Sequence, residues 1–176
     1  MISYKPVLLF SVAFVFSGIA AHAGGPDVKR GKYLTDIIPC TDCHTPGTFL
    51  SHPDTSRYLG GSDVGFSVPG LGVFYGPNLT PDNETGLGKW TVPQIVTAMT
   101  EGVRPDGRKL APPMPSEWFH HLTKQDAAAI AAYLKTLKPV QNQVPGPFGP
   151  AQKPTGFVMQ VIPAATFVPS SPPPPK

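Results

Sequence analysis

Charge and cysteine are both scarce in this 176-residue chain, with only 14% of residues charged, a net charge of +3 and two cysteines. A charge this mild, with no basic run and no Lys/Arg-rich helix, gives no case for a nucleic-acid partner. A structural zinc site wants four ligands, and no second cysteine pair is present to supply them. No internal repeat is visible. Beyond its first two dozen residues the chain has no apolar run of about 20 residues, the length a membrane span requires.

Proline and glycine are abundant instead, at 24 and 18 residues. Much of the backbone must therefore lie in turns and loops. The length suits one domain, and a small loop-rich domain usually needs a disulfide, a metal or a large cofactor to hold it together. The N-terminus reads as a secretory leader: Lys5 gives the positive start, residues 7–20 are apolar, and Ala21-His22-Ala23 fits a small-x-small cleavage site. The expected organisation is a leader over 1–23, a domain over 24–140 and a Pro-rich extension over 141–176. Removing the leader with Lys5 lowers the net charge by one; an uncleaved anchor is the alternative.

Three helices are expected. The first spans 26–38, with Pro26 at its first position and Pro39 stopping it. The second begins at Thr91, which forms a capping box with Gln94, and stops at Gly102. The third runs over 124–138, capped by Thr123, with Ile130, Tyr133, Leu134 and Leu137 in one stripe. Residues 45–90 read as mostly loop, with one candidate hairpin turning through Pro69-Gly70 between Phe66-Ser67-Val68 and Val73-Phe74-Tyr75. A loop this long needs something to wrap around. The extension reads as extended chain, polyproline II at its end, with residues 157–162 apolar enough to pack on the domain or a partner.

The chemistry resides in Cys40-Thr41-Asp42-Cys43-His44. Cys-x-x-Cys-His is the attachment signature of haem c. The two thiols add to the haem vinyl groups, and His44 ligates the iron. A Cys-x-x-Cys redox pair would sit beside a strand–helix unit, but no strand pattern precedes Cys40. A thioether is the expected sixth ligand of an electron carrier. Met99 falls on the apolar side of a helix and Met159 lies in the extension. Met114, in Leu110-Ala111-Pro112-Pro113-Met114-Pro115, sits in a loop stiffened by prolines and is the expected ligand. His52, His120 and His121 are the rival ligands, each more simply a surface or loop histidine.

Residues 26–140 resemble the cytochrome c family. Gly76-Pro77-Asn78-Leu79 is similar to the segment passing behind the proximal histidine in small cytochromes c. The resemblance implies that the Pro77 carbonyl orients His44 and that Leu79 covers the haem. Asn78-Leu79-Thr80-Pro81-Asp82, Thr85-Gly86-Leu87-Gly88-Lys89-Trp90 and Arg104-Pro105-Asp106-Gly107-Arg108 look like haem domains of bacterial cytochrome subunits that serve alcohol, sugar-acid and aldehyde dehydrogenases. Trp90 would donate to a haem propionate or stand as a core aromatic; Arg108 could neutralise a propionate or remain a loop charge. Those subunits commonly carry three haem motifs and an amphipathic anchor, whereas this chain has one motif and no such anchor.

The resemblance implies an all-α fold, in which Gly31 lets the first helix approach Tyr133 and Leu134 of the last. The expected function is single-electron transfer in the periplasm by one haem c. The chain itself would not be an enzyme. Its partners would be redox proteins, a dehydrogenase or reductase as donor and an oxidase as acceptor. The alternatives are a subunit bound to a dehydrogenase complex, or a haem enzyme or gas sensor with an open sixth site.

Overall fold

The computed structural model describes residues 25–168. The expected leader and the proline-rich end of the extension lie outside the described residues. Helix α1 covers Val28–Ile37 and α2 covers Cys40–His44. Strands β1 (Val64–Val68) and β2 (Gly72–Tyr75) follow, then α3 (Val92–Glu101), α4 (Ser116–Phe119), α5 (Lys124–Thr136) and β3 (Phe157–Met159).

Local chemistry explains most of these boundaries. Asp27, not Pro26, starts α1: its carboxylate accepts from the backbone N–H groups of Lys29 and Arg30, satisfying two of the donors a helix start leaves free. The helix ends at Ile38, which is extended because Pro39 follows it. Helix α3 carries the full Thr91–Gln94 capping box and ends at Gly102 with φ +67°, a left-handed geometry that glycine adopts without penalty. Thr123 caps α5 by accepting from Asp126 N–H. The short α4 follows Pro115.

Helices α1 and α5 make the largest helix–helix contact among the described residues, and α3 packs on α5. Gly31 permits the first crossing. A Cβ there would overlap the Ala129 carbonyl and press on Tyr133 Cβ, so the nearest approach is to Ala129 and Tyr133. Leu34, Ile95, Met99, Ala127, Ile130, Ala131 and Leu134 form the shared core with Leu59 and Leu87.

The all-α expectation holds for the helices but omits a three-stranded sheet of order β2-β1-β3. The hairpin forms as read, antiparallel with Phe66 opposite Phe74 and Val68 opposite Gly72. The extension supplies the third strand, with β3 running parallel to β1 and Val64 opposite Phe157. Of the apolar residues 157–162, only Phe157, Val158 and Met159 dock, through backbone, and their side chains stay exposed. No helix among the described residues is long and apolar enough to cross a membrane.

Candidate functional site

Helix α2 is a single turn that places Cys40 and Cys43 three residues apart on one face. Both thiols are free and partly buried. Burial pushes the Cys40 thiol up to about 11 and raises that of Cys43 as well, so both are protonated at neutral pH. His44 closes the turn and is buried, 6% exposed.

His44 Nδ1 lies 2.8 Å from the Pro77 carbonyl oxygen. A carbonyl only accepts, so Nδ1 carries the proton and Nε2 keeps the lone pair. Burial lowers the pKa of the imidazole, with the Pro77 bond opposing that shift. The ring is thus a neutral, oriented donor. The strap bearing Pro77 runs hard against α2: a Cβ at Gly76 would overlap the Cys43 carbonyl. The backbone of His44 is held from the other side, since its carbonyl accepts from Gly61 N–H at 2.8 Å.

Cys40, Leu79, Trp90 and Met114 are all partly buried and packed against the one hydrophobic core, as are Val92 and Val96 of α3 and Phe119 of α4. Met114 is fixed by a tight turn in which its N–H donates to the Ala111 carbonyl and its carbonyl accepts from Ser116 N–H. The other candidate ligands lie elsewhere. Met99 is a buried core residue of α3, and Met159 is exposed on β3. His52, His120 and His121 are exposed.

Arg108 is an exposed loop residue. Its neighbour Arg104, which the sequence reading passed over, places its guanidinium 4.9 Å from the centre of the Trp90 ring. The donor set fits haem c: two protonated thiols on one helical turn, an imidazole with a free Nε2, and a thioether in apolar surroundings.

The cytochrome c family model matches residues 28–138. The chain belongs to the cytochrome c family. Membership brings covalently attached haem c and electron transfer. The chain is 35% identical over 134 residues to the fructose dehydrogenase cytochrome subunit of Gluconobacter japonicus, an alignment covering 73% of the chain and 26% of that subunit. It is 35% identical over 132 residues to the alcohol dehydrogenase (quinone) cytochrome c subunit of Gluconobacter oxydans, covering 72% and 26%. The corresponding subunit of Gluconacetobacter polyoxogenes is 33% identical over 146 residues, covering 80% and 29%. The chain therefore spans about a quarter of the length of these relatives.

Proposed function

We propose that the chain is a periplasmic single-electron carrier with one haem c. Cys40 and Cys43 hold the haem by thioether bonds, each thiol adding S and H across a vinyl group. His44 and Met114 would ligate its iron. The observation that carries this reading is His44 beside both thiols, with Nδ1 committed to the Pro77 carbonyl and Nε2 left to bind iron. Bound haem supplies the one-electron couple.

The residues of the chain set the conditions for that couple. The Pro77 bond fixes the tautomer of His44 and strengthens it as a donor. Met114 in its proline-flanked turn loses little freedom on ligation. Leu79 and Trp90, packed on the core, exclude water from the ring. Trp90 and the Arg104 stacked on it offer N–H donors for a propionate. Ligation by both His44 and Met114 would leave no open site at the iron, which suits a carrier rather than an enzyme. Its donors are dehydrogenases or reductases and its acceptor an oxidase, met through small, transient contacts.

A second reading, a subunit held in a dehydrogenase complex, is favoured by the exposed apolar residues of the extension, Phe157 at 60% and Val161 at 92% exposure among them. Co-purification of a larger subunit separates the two readings.

Expression with a cytochrome c maturation system, followed by oxidised and reduced spectra with and without carbon monoxide, tests the proposal. A covalent low-spin haem, a thioether–iron band when oxidised and no rapid carbon monoxide binding are expected. Met114→Ala abolishes the band and opens the site to carbon monoxide. Wild-type protein that is high-spin or binds the gas readily would refute the His/Met assignment.

A further inference from the structure

Resting on that reading of His44, we propose that Asn78 and Asn142 are positioning residues for the proximal histidine, through which the chain beyond α5 sets the strength of His44 as a ligand. The Pro77 carbonyl belongs to the Pro77–Asn78 peptide, so whatever fixes Asn78 aims that oxygen at His44. Asn78 is 1% exposed, and its amide is held by four hydrogen bonds. Nδ2 donates to the Val140 carbonyl at 2.6 Å and to Thr85 Oγ1 at 3.0 Å. Oδ1 accepts from Thr80 N–H at 2.9 Å and from Thr80 Oγ1 at 2.7 Å. That exhausts the two donors and two lone pairs of an amide.

The same segment reaches His44 from its other side. Asn142 Nδ2 donates to the Gly60 carbonyl at 2.7 Å, and Asn142 N–H donates to Thr85 Oγ1 at 3.0 Å. The next residue, Gly61, donates its N–H to the His44 carbonyl. Val140 N–H donates to Thr80 Oγ1 at 3.0 Å. Residues 140–142 thus tie together the loop holding the backbone of His44 and the strap holding its ring. Val140 and Asn142 lie just beyond the residues the family model matches, 28–138. A fully satisfied buried network is rigid, and losing one member strands its partners.

A hydrogen bond from Nδ1 increases electron donation by the ring and favours the oxidised metal. Loosening the Pro77 carbonyl weakens that bond and moves the potential upward. The test uses haem-loaded full chain carrying Asn78→Leu or, as the milder change that keeps the fold, Asn142→Ala. Gly31→Ala is the control, because it strains only the α1–α5 crossing. Spectroelectrochemical titration gives the potential. Proton NMR gives the rate at which the His44 Nδ1 proton exchanges with deuterium.

Both asparagine variants are expected to raise the potential and to speed Nδ1 exchange, roughly tenfold for Asn78→Leu, the scale of one lost net hydrogen bond. Gly31→Ala lowers the unfolding midpoint and moves neither. Asparagine variants that match the control in potential and exchange at equal loss of stability overturn this inference alone. Wild-type chain that takes no covalent haem overturns it together with the function proposed above.

Discussion

Replacing Lys135 with methionine should destabilise the haem-loaded protein far more than a helix-surface substitution does. From the last turn of α5 the ammonium donates to three backbone carbonyls, those of Leu87 at 3.0 Å, Gly88 at 2.8 Å and Trp90 at 3.1 Å. Methionine keeps the length and apolar stem of the side chain but no donor. Hydrogen bonds to a charged group contribute about 1.5–3 kcal/mol each. These three share one ammonium, and the freed carbonyls recover some water, so the loss is set at about 2–3 kcal/mol rather than the full sum. A chain of this size moves by about 2–4 °C per kcal/mol, which gives a fall in Tm of about 4–12 °C. Urea unfolding measures it. Because the acceptors are uncharged, the loss should persist in 1 M salt, where exposed ion pairs are screened. Lys135→Arg should recover only part of it, since a planar guanidinium cannot converge on three carbonyls from one nitrogen. A loss below about 0.5 kcal/mol, the size of an ordinary surface change, refutes the reasoning.

Gly76→Ala should lower the yield of covalent haem per chain, read by pyridine haemochrome assay, because its Cβ overlaps the Cys43 carbonyl; overpacking of this kind costs about 1–3 kcal/mol. Asp54 is held at about 2, below the usual 3.8, by hydrogen bonds from Ser56 and Arg57. A depressed carboxylate stabilises the fold fully above its unfolded pKa and loses that contribution as pH falls through about 2, so a carboxyl NMR titration should find that midpoint and Asp54→Asn should flatten the acid limb of stability. Ending the chain after Val140 should lower the unfolding midpoint in urea, since it removes the bonds of Asn142, the β1–β3 pairing and the Val73–Phe148 bridge.

What could be read from sequence was what is local. Cys40, Cys43 and His44 are contiguous and sit on one helical turn, so their spacing already states their geometry. The Thr91–Gln94 box and the Thr123 cap act within one turn, and both helices start where those residues put them. The hairpin was legible for the same reason, its strands being joined by a short turn. Distant chain was not legible. Strand β3 is three residues long and gains its identity only from pairing with β1, far earlier in sequence. In sequence Lys135 is one more cation in the last turn of a helix, where any Lys suits the macrodipole, yet its partners lie on the loop before α3. Arg108 read as either a propionate partner or a loop charge and is an exposed loop residue, while the cation on Trp90 is Arg104, four residues away across a turn whose path only the fold reveals. Asn78 stood inside the quoted Gly-Pro-Asn-Leu segment without a role. The Asn78-x-Thr80 spacing was the one available signal, as it is the spacing of a side chain bonding backbone two residues on.

The segment between α2 and the Pro77 strap and the extension after α5 each explain the other. A two-stranded hairpin is marginal by itself, and β1–β2 is such a hairpin until β3 joins it. An extended tail has backbone donors and acceptors to satisfy, and β1 satisfies part of them. The contact is specific beyond the ladder. Val73 exchanges both backbone hydrogen bonds with Phe148 at 2.9 and 3.0 Å, and Tyr75 packs edge-on to Phe148 at 6.1 Å. A Cβ at Gly72 would overlap the Phe148 carbonyl. On the far side of the hairpin Phe49 meets Phe66 edge-on at 5.5 Å. The extension is therefore packed on the hairpin as far as Met159, even though the family match ends at residue 138. That placement is what allows residues 140–142 to bear on His44. They are pinned at one end by α5 and at the other by the sheet, so the amide of Asn78 meets a carbonyl that is itself held still.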